Sequence, residues 1–206
     1  FGDSTYYVLK HGLTSVIEKI YEKIKETNEA KGPFSCEIRH NCRVTDIKGG
    51  KHHRVTFETG NETKTVSCKT VISTIPYQET LSIPLLQMKV SGCVEPIPLM
   101  RIYARYPLKD GKPWFHDIKN TTTDNYLRFV IPIDYKKGVI MVSYTDGLYS
   151  SSIWKHIESL SEEELIARIH KELKTVFSKK EIPDPVWMKS YYWSAGVHMW
   201  KPGIDM

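Results

Sequence analysis

Apolar residues recur at helical spacing near the start of the chain, at Leu13, Val16, Ile17, Ile20, Tyr21 and Ile24. Ser15 and Glu18 have the separation of a capping box, and Leu13 sets the start slightly earlier. The pattern predicts a helix over about residues 12–25, with its stripe laid on a sheet. Lys31-Gly32-Pro33 ends it. The spacing then turns from helical to alternating. Residues 36–47 hold two short extended runs. Residues 53–59 and 63–68 flank Gly60-Asn61, the signature of a hairpin turn. Thr70-Val71-Ile72-Ser73-Thr74-Ile75 is β-branched almost throughout, and Pro76 stops it. A run this apolar on both faces predicts a central, buried strand.

Residues 77–98 carry several prolines and read as a crossover between two domains, followed by a strand over 99–106. That strand is expected in a different sheet from residues 70–75. A second hairpin joins residues 126–133 to 139–144 across the turn at 134–138. Ser161-Glu162-Glu163-Glu164 opens a second amphipathic helix, whose stripe is Leu165, Ile166, Ile169, Leu173, Val176 and Phe177. Ile182-Pro183-Asp184-Pro185 breaks it, residues 186–193 form a last strand, and Ala195-Gly196 reads as a sharp turn. The predicted class is α+β, with mixed or antiparallel sheets and a few flanking helices.

Composition narrows the function. Hydrophobic residues are 40% and charged residues 26%, as in ordinary globular domains. No apolar run approaches the roughly 18 residues of a membrane span, so no membrane is expected. The net charge of +5 comes from 29 basic residues spread evenly against 24 acidic ones, without the one-sided clustering that nucleic acid requires. Cys36, Cys42, Cys68 and Cys93 make no CxxC pair, and the eight histidines show no metal-ligand spacing. No metal is expected, and the thiols suit the cytoplasm or another reducing intracellular compartment. Neither a GxSxG, a Walker loop nor a paired-carboxylate signature is present.

The order of elements says more, for it resembles one region of the flavin amine oxidases. In that family a glycine opens a helix and a strand with Val-x-x-Ile follows; here stand Gly12 and Val44-Thr45-Asp46-Ile47. A polar-tipped hairpin comes next, as around Gly60, then an apolar-Val-Ile-x-Thr-apolar-Pro strand, matched by Thr70-Val71-Ile72-Ser73-Thr74-Ile75-Pro76. A long substrate-domain strand corresponds to residues 99–106. After a hairpin and a long helix, a Trp- and Tyr-rich strand leads to a glycine turn and Pro-Gly. Tyr191-Tyr192-Trp193-Ser194-Ala195-Gly196 and Lys201-Pro202-Gly203 match that ending.

The resemblance implies an FAD-dependent oxidoreductase acting on a small molecule, an amine or a similarly activated C–H. It implies backbone contact between Val44 and the adenine end of FAD. Thr74, Ile75 and Pro76 would lie at a strand end near the cofactor, and Trp193, Gly196 and Val197 would face the flavin ring. Many members carry a lysine on the strand matched by 99–106; here the nearest residues are Met100 and Arg101, and the likeness does not choose between them. Arginine stays protonated and cannot be a tunable base, so Arg101 is the catalytic candidate only as an orienter of substrate or water. Members that tether flavin use a cysteine where Val197 stands, so FAD is expected to be non-covalent.

No GxGxxG occurs in the sequence. The likeness therefore implies an internal piece: 1–84 from the middle of an FAD-binding domain, 85–190 from the substrate domain, and 191–206 returning to the FAD-binding domain. The pyrophosphate segment is expected before Phe1 and the closing FAD segment beyond Met206. As given, the piece is expected to be inactive, to hold no FAD tightly, and to need the missing parts of its own chain or a protein partner. An alternative reading is a structural or interaction module that keeps the oxidase fold without its chemistry.

Overall fold

The computed structural model describes residues 9, 11–29, 32–33 and 35–204; Lys31, part of the predicted helix stop, lies outside them. The chain divides into two compact units, residues 1–44 with 56–66, and residues 45–55 with 67–206.

In the first unit, α1 (Thr14–Glu29) begins before Ser15, whose hydroxyl donates to the Gly12 carbonyl at 2.7 Å instead of capping the helix. The helix buries none of its residues; Val16 is 41%, Ile17 66% and Ile20 52% exposed. The expectation that this stripe lies on a sheet is thus not met. Periodicity records that a helix has an apolar face, and packing decides separately whether anything covers it. A tie exists at the last turn, where the Asn28 amide exchanges hydrogen bonds of 2.6 and 2.9 Å with the Cys36 backbone.

Three strands, β1 (Arg43–Lys48), β2 (His53–Thr59) and β3 (Glu62–Cys68), form a sheet in that order. The β2–β3 turn is the predicted one, with Gly60 in the left-handed region at φ +59.

The second unit departs from prediction at residues 70–75, which belong to no strand. Ile72 is 85% and Ile75 40% exposed, and only Val71 is half-buried. β-branched residues favour extended backbone, yet a strand also needs neighbours for its N–H and C=O groups, and none of the described residues pairs with this run. Pro76 does close it, as the N-cap of α2 (Tyr77–Thr80). α3 (Pro84–Val90) follows, with proline in its first turn, so the expected crossover is partly helical.

The remaining elements are β4 (Val94–Arg105), β5 (Thr121–Thr122), β6 (Phe129–Asp134), β7 (Val139–Asp146), α4 (Gly147–Ile157), α5 (Glu162–Val176) and β8 (Trp187–Trp200). The five strands form one sheet in the order β5-β6-β7-β4-β8, and β4 runs antiparallel to both neighbours. The β6–β7 hairpin was expected; the Asp134 carboxylate accepts from the backbone of Lys136 and Lys137 in its turn. The capping box of α5 is complete. Ser161 Oγ accepts from Glu164 N at 3.2 Å, and the Glu164 carboxylate accepts from Ser161 N at 2.9 Å.

The core lies on one side of this sheet. Met100, Ile102 and Ala104 of β4 alternate inward and are fully buried against Ile153 and Ile157 of α4 and Leu165, Ile169 and Leu173 of α5. Ala195-Gly196 is not a turn, because β8 stays paired with β4 as far as Trp200. Among the described residues no helix is long and apolar enough to cross a membrane.

Candidate functional site

The alternation that sends Met100, Ile102 and Ala104 to the helices leaves Leu99, Arg101 and Tyr103 on the opposite face. Register then assembles an aromatic surface there. Tyr144 of β7 and Tyr191 of β8 stand level with Arg101, and Trp193 stands level with Leu99. Tyr103 meets Tyr191 edge-on at 6.0 Å, and Tyr191 stacks on Trp193 at 6.1 Å. Tyr144 meets Phe129 of β6 edge-on at 5.6 Å. The Arg101 guanidinium carbon lies 3.2 Å from the centre of the Tyr144 ring, a cation–π contact. Its Nη1 donates to the Met100 carbonyl at 2.9 Å and the Thr145 carbonyl at 3.3 Å. Partial burial pulls the guanidinium below its ordinary pKa while Tyr144 and Tyr103 pull it back; it remains protonated.

Trp193 also borders a groove of about 710 Å³, lined among others by Thr74, Ile75, Pro76, Gly196 and Trp200. A bulge shapes it. Leu99 pairs with Trp193 and Ile97 with Val197, so Pro98 alone stands against residues 194–196. Proline brings no N–H to the ladder, and its carbonyl accepts instead from Ser150 of α4 at 3.3 Å. Within the bulge, Gly196 touches Leu99 so closely that a Cβ at 196 would overlap the leucine side chain. Backbone therefore forms part of the wall. Low backbone, Trp193, Trp200 and the stretch Ser73-Thr74-Ile75-Pro76 wall the groove. Among the described residues no cluster of His, Cys, Asp or Glu could hold a metal ion.

Of the residues singled out from sequence, Thr74, Ile75, Pro76, Trp193 and Gly196 line this one groove. Arg101 shares the open sheet face with Trp193. Val197 follows Gly196, is 42% exposed and is not among the lining residues. Val44 lies half-buried on β1, in the other unit. Sequence reasoning missed Tyr144 beneath Arg101, and Tyr103 beside it. Their only trace is the alternation of Leu99, Arg101 and Tyr103 with three buried residues; the partner strand cannot be read from that.

Comparison with known proteins follows the same line. The family described as flavin containing amine oxidoreductase matches residues 1–199. No curated protein matches. Among solved structures, cyclohexylamine oxidase from Brevibacterium oxydans IH-35A is similar, with a TM-score of 0.51 and 12% identity over 78% of this chain. At that identity the likeness concerns the fold alone, and the chain spans 37% of that protein's length. The predicted α+β class agrees with it. Since the family match covers nearly the whole sequence, the chain belongs to the flavin-containing amine oxidoreductases.

Proposed function

We propose that this chain supplies the substrate-facing sheet and part of the flavin groove of an FAD-dependent oxidoreductase that oxidises an amine or a similarly activated C–H bond. The observation supporting this is convergence: Thr74, Ile75, Pro76, Trp193 and Gly196 come from distant segments and line one groove beside the aromatic face. In this reading those residues hold the flavin ring, non-covalently because Val197 offers no thiol. The backbone of Val44 is assigned the adenine end on family likeness alone. When bound, FAD supplies the acceptor for a hydride from the carbon next to nitrogen. The chain's own residues bind and orient. Tyr103, Tyr191 and Trp193 offer apolar rings that shed water and take the body of the substrate. Arg101, permanently charged, orients a substrate group or a water and does not shuttle a proton. Gly196 keeps the backbone low beside Leu99, leaving room for the ring.

The test is anaerobic mixing of the FAD-loaded full-length parent protein with a panel of primary amines, watching for bleaching of the flavin colour. Bleaching supports the enzyme. A full-length parent protein that takes up no added FAD sinks the reading and favours the non-catalytic module. Gly196→Ala, which forces Leu99 out of place, is expected to weaken flavin retention by about tenfold, equivalent to roughly 1.4 kcal/mol.

A further inference from the structure

We infer that the open face of the five-stranded sheet binds a carboxylate through Arg101, and that the substrate of this oxidoreductase carries one; the second half rests on the function proposed above. A guanidinium presents five N–H groups in one plane. At Arg101 the Nη1 end is occupied by the carbonyls of Met100 and Thr145. These bonds and the Tyr144 ring against its face fix both the plane and its rotation. The Tyr144 phenol also hydrogen-bonds the guanidinium, and among the described residues no carbonyl or carboxylate is bonded to the edge formed by Nε and Nη2. Arg101 makes no ion pair with any of the described residues, and Asp146 pulls on it only from beyond ion-pair distance.

An oriented fork on a half-buried cation, with a phenol but no carboxylate beside it among the described residues, matches a carboxylate edge in two parallel hydrogen bonds. The same chain illustrates that geometry at Arg39, whose Nε and Nη2 grip the two Glu37 oxygens at 2.7 and 2.8 Å. The surroundings select the rest of the ligand. Tyr103, Tyr191 and Trp193 flank the fork with half-exposed rings, which suits an organic acid with an apolar or aromatic body better than a bare inorganic anion.

The binding claim is tested on this chain by NMR, following the tryptophan indole signals during titration with phenylacetate, its neutral isostere phenylacetamide, and inorganic phosphate. Phenylacetate is expected to bind about tenfold tighter than the amide, as a charge-assisted hydrogen bond predicts. Arg101→Met should abolish that preference. Arg101→Lys keeps the charge but not the fork, and should reduce the preference several-fold; it carries the test if the methionine variant does not fold. Equal binding of acid and amide, an undiminished preference in either variant, or tighter binding of phosphate than of phenylacetate each overturns the inference. The substrate half is read on the FAD-loaded full-length parent protein, comparing flavin reduction by phenylalanine and by phenethylamine. Faster reduction by phenylalanine is expected. Equal rates overturn the carboxylate-bearing substrate while the enzyme stands; no reduction by any amine, with the NMR preference intact, removes the enzyme and leaves the site.

Discussion

α1 and α5 carry much the same sequence pattern and meet opposite fates. Both are amphipathic helices of similar length with charged residues between the apolar positions. α5 buries Leu165, Ile169 and Leu173 against the five-stranded sheet, the last two completely. α1 leaves Ile17 66% and Ile20 52% exposed. The pattern therefore specifies which face of a helix is apolar, while its contribution to stability depends on what that face meets. α5 is held by its core contacts and by a cap. α1 is held by ion pairs between neighbouring exposed residues, such as Lys19 with Glu22 and Lys23 with Glu26, which contribute little.

The contrast can be broken by mutation. Ile169→Ala removes a fully buried side chain and should cost about 2–5 kcal/mol, read as a fall in thermal midpoint; a loss under about 1 kcal/mol would falsify the assignment of α5 to the core. Ser161→Ala removes one half of the capping box and should cost about 1 kcal/mol, whereas Ser15→Ala, which deletes no cap, should cost less.

A pH-dependent effect belongs to the buried side of α5. His170 is 8% exposed, its Nε2 has no hydrogen-bond partner among the described residues, and its Nδ1 lies 3.8 Å from Asp184. Burial holds its pKa below the ordinary 6.5, Lys174 adds to the lowering, and Asp184 opposes both. The unfolded chain consequently takes up this proton first. The stabilisation is complete above the ordinary value and is lost as pH falls below it. Thermal melts from neutral to mildly acid pH should show a decline that Phe at position 170 flattens. The smallest effect is expected on α1: Ile17→Ser should change stability by no more than about 0.5 kcal/mol, and a clear loss would mean that its stripe is covered in solution.

Legibility in the sequence followed the range of the interaction. The α5 cap and the β2–β3 and β6–β7 hairpins are local devices, and each was predicted close to where it stands. α4 was missed because Gly147 and the run Ser150-Ser151-Ser152 have weak helix preference; what holds it is Ile153 and Ile157 in the core and Ser150 on the Pro98 carbonyl. Residues 70–75 have the composition of a buried strand, but pairing is a property of neighbours. The groove was legible in its parts, since Thr74, Ile75, Pro76, Trp193 and Gly196 were all named from family likeness. The Tyr144–Arg101 contact was not, because it arises from cross-strand register that no local pattern encodes.

The bulge opposite Pro98 has an arithmetic of its own. Between two consecutive cross-strand pairs, β4 contributes one residue and β8 three, a surplus of two. Side chains on a strand change sides at every step, so an even surplus leaves Val197 and its successors on the faces a straight ladder would have given them. Losing one residue from 194–196 would turn the end of the strand over and exchange the side chains on its two faces. Losing two would leave every side chain on its own face and merely straighten the strand. Tolerated length changes at this point should therefore come in pairs.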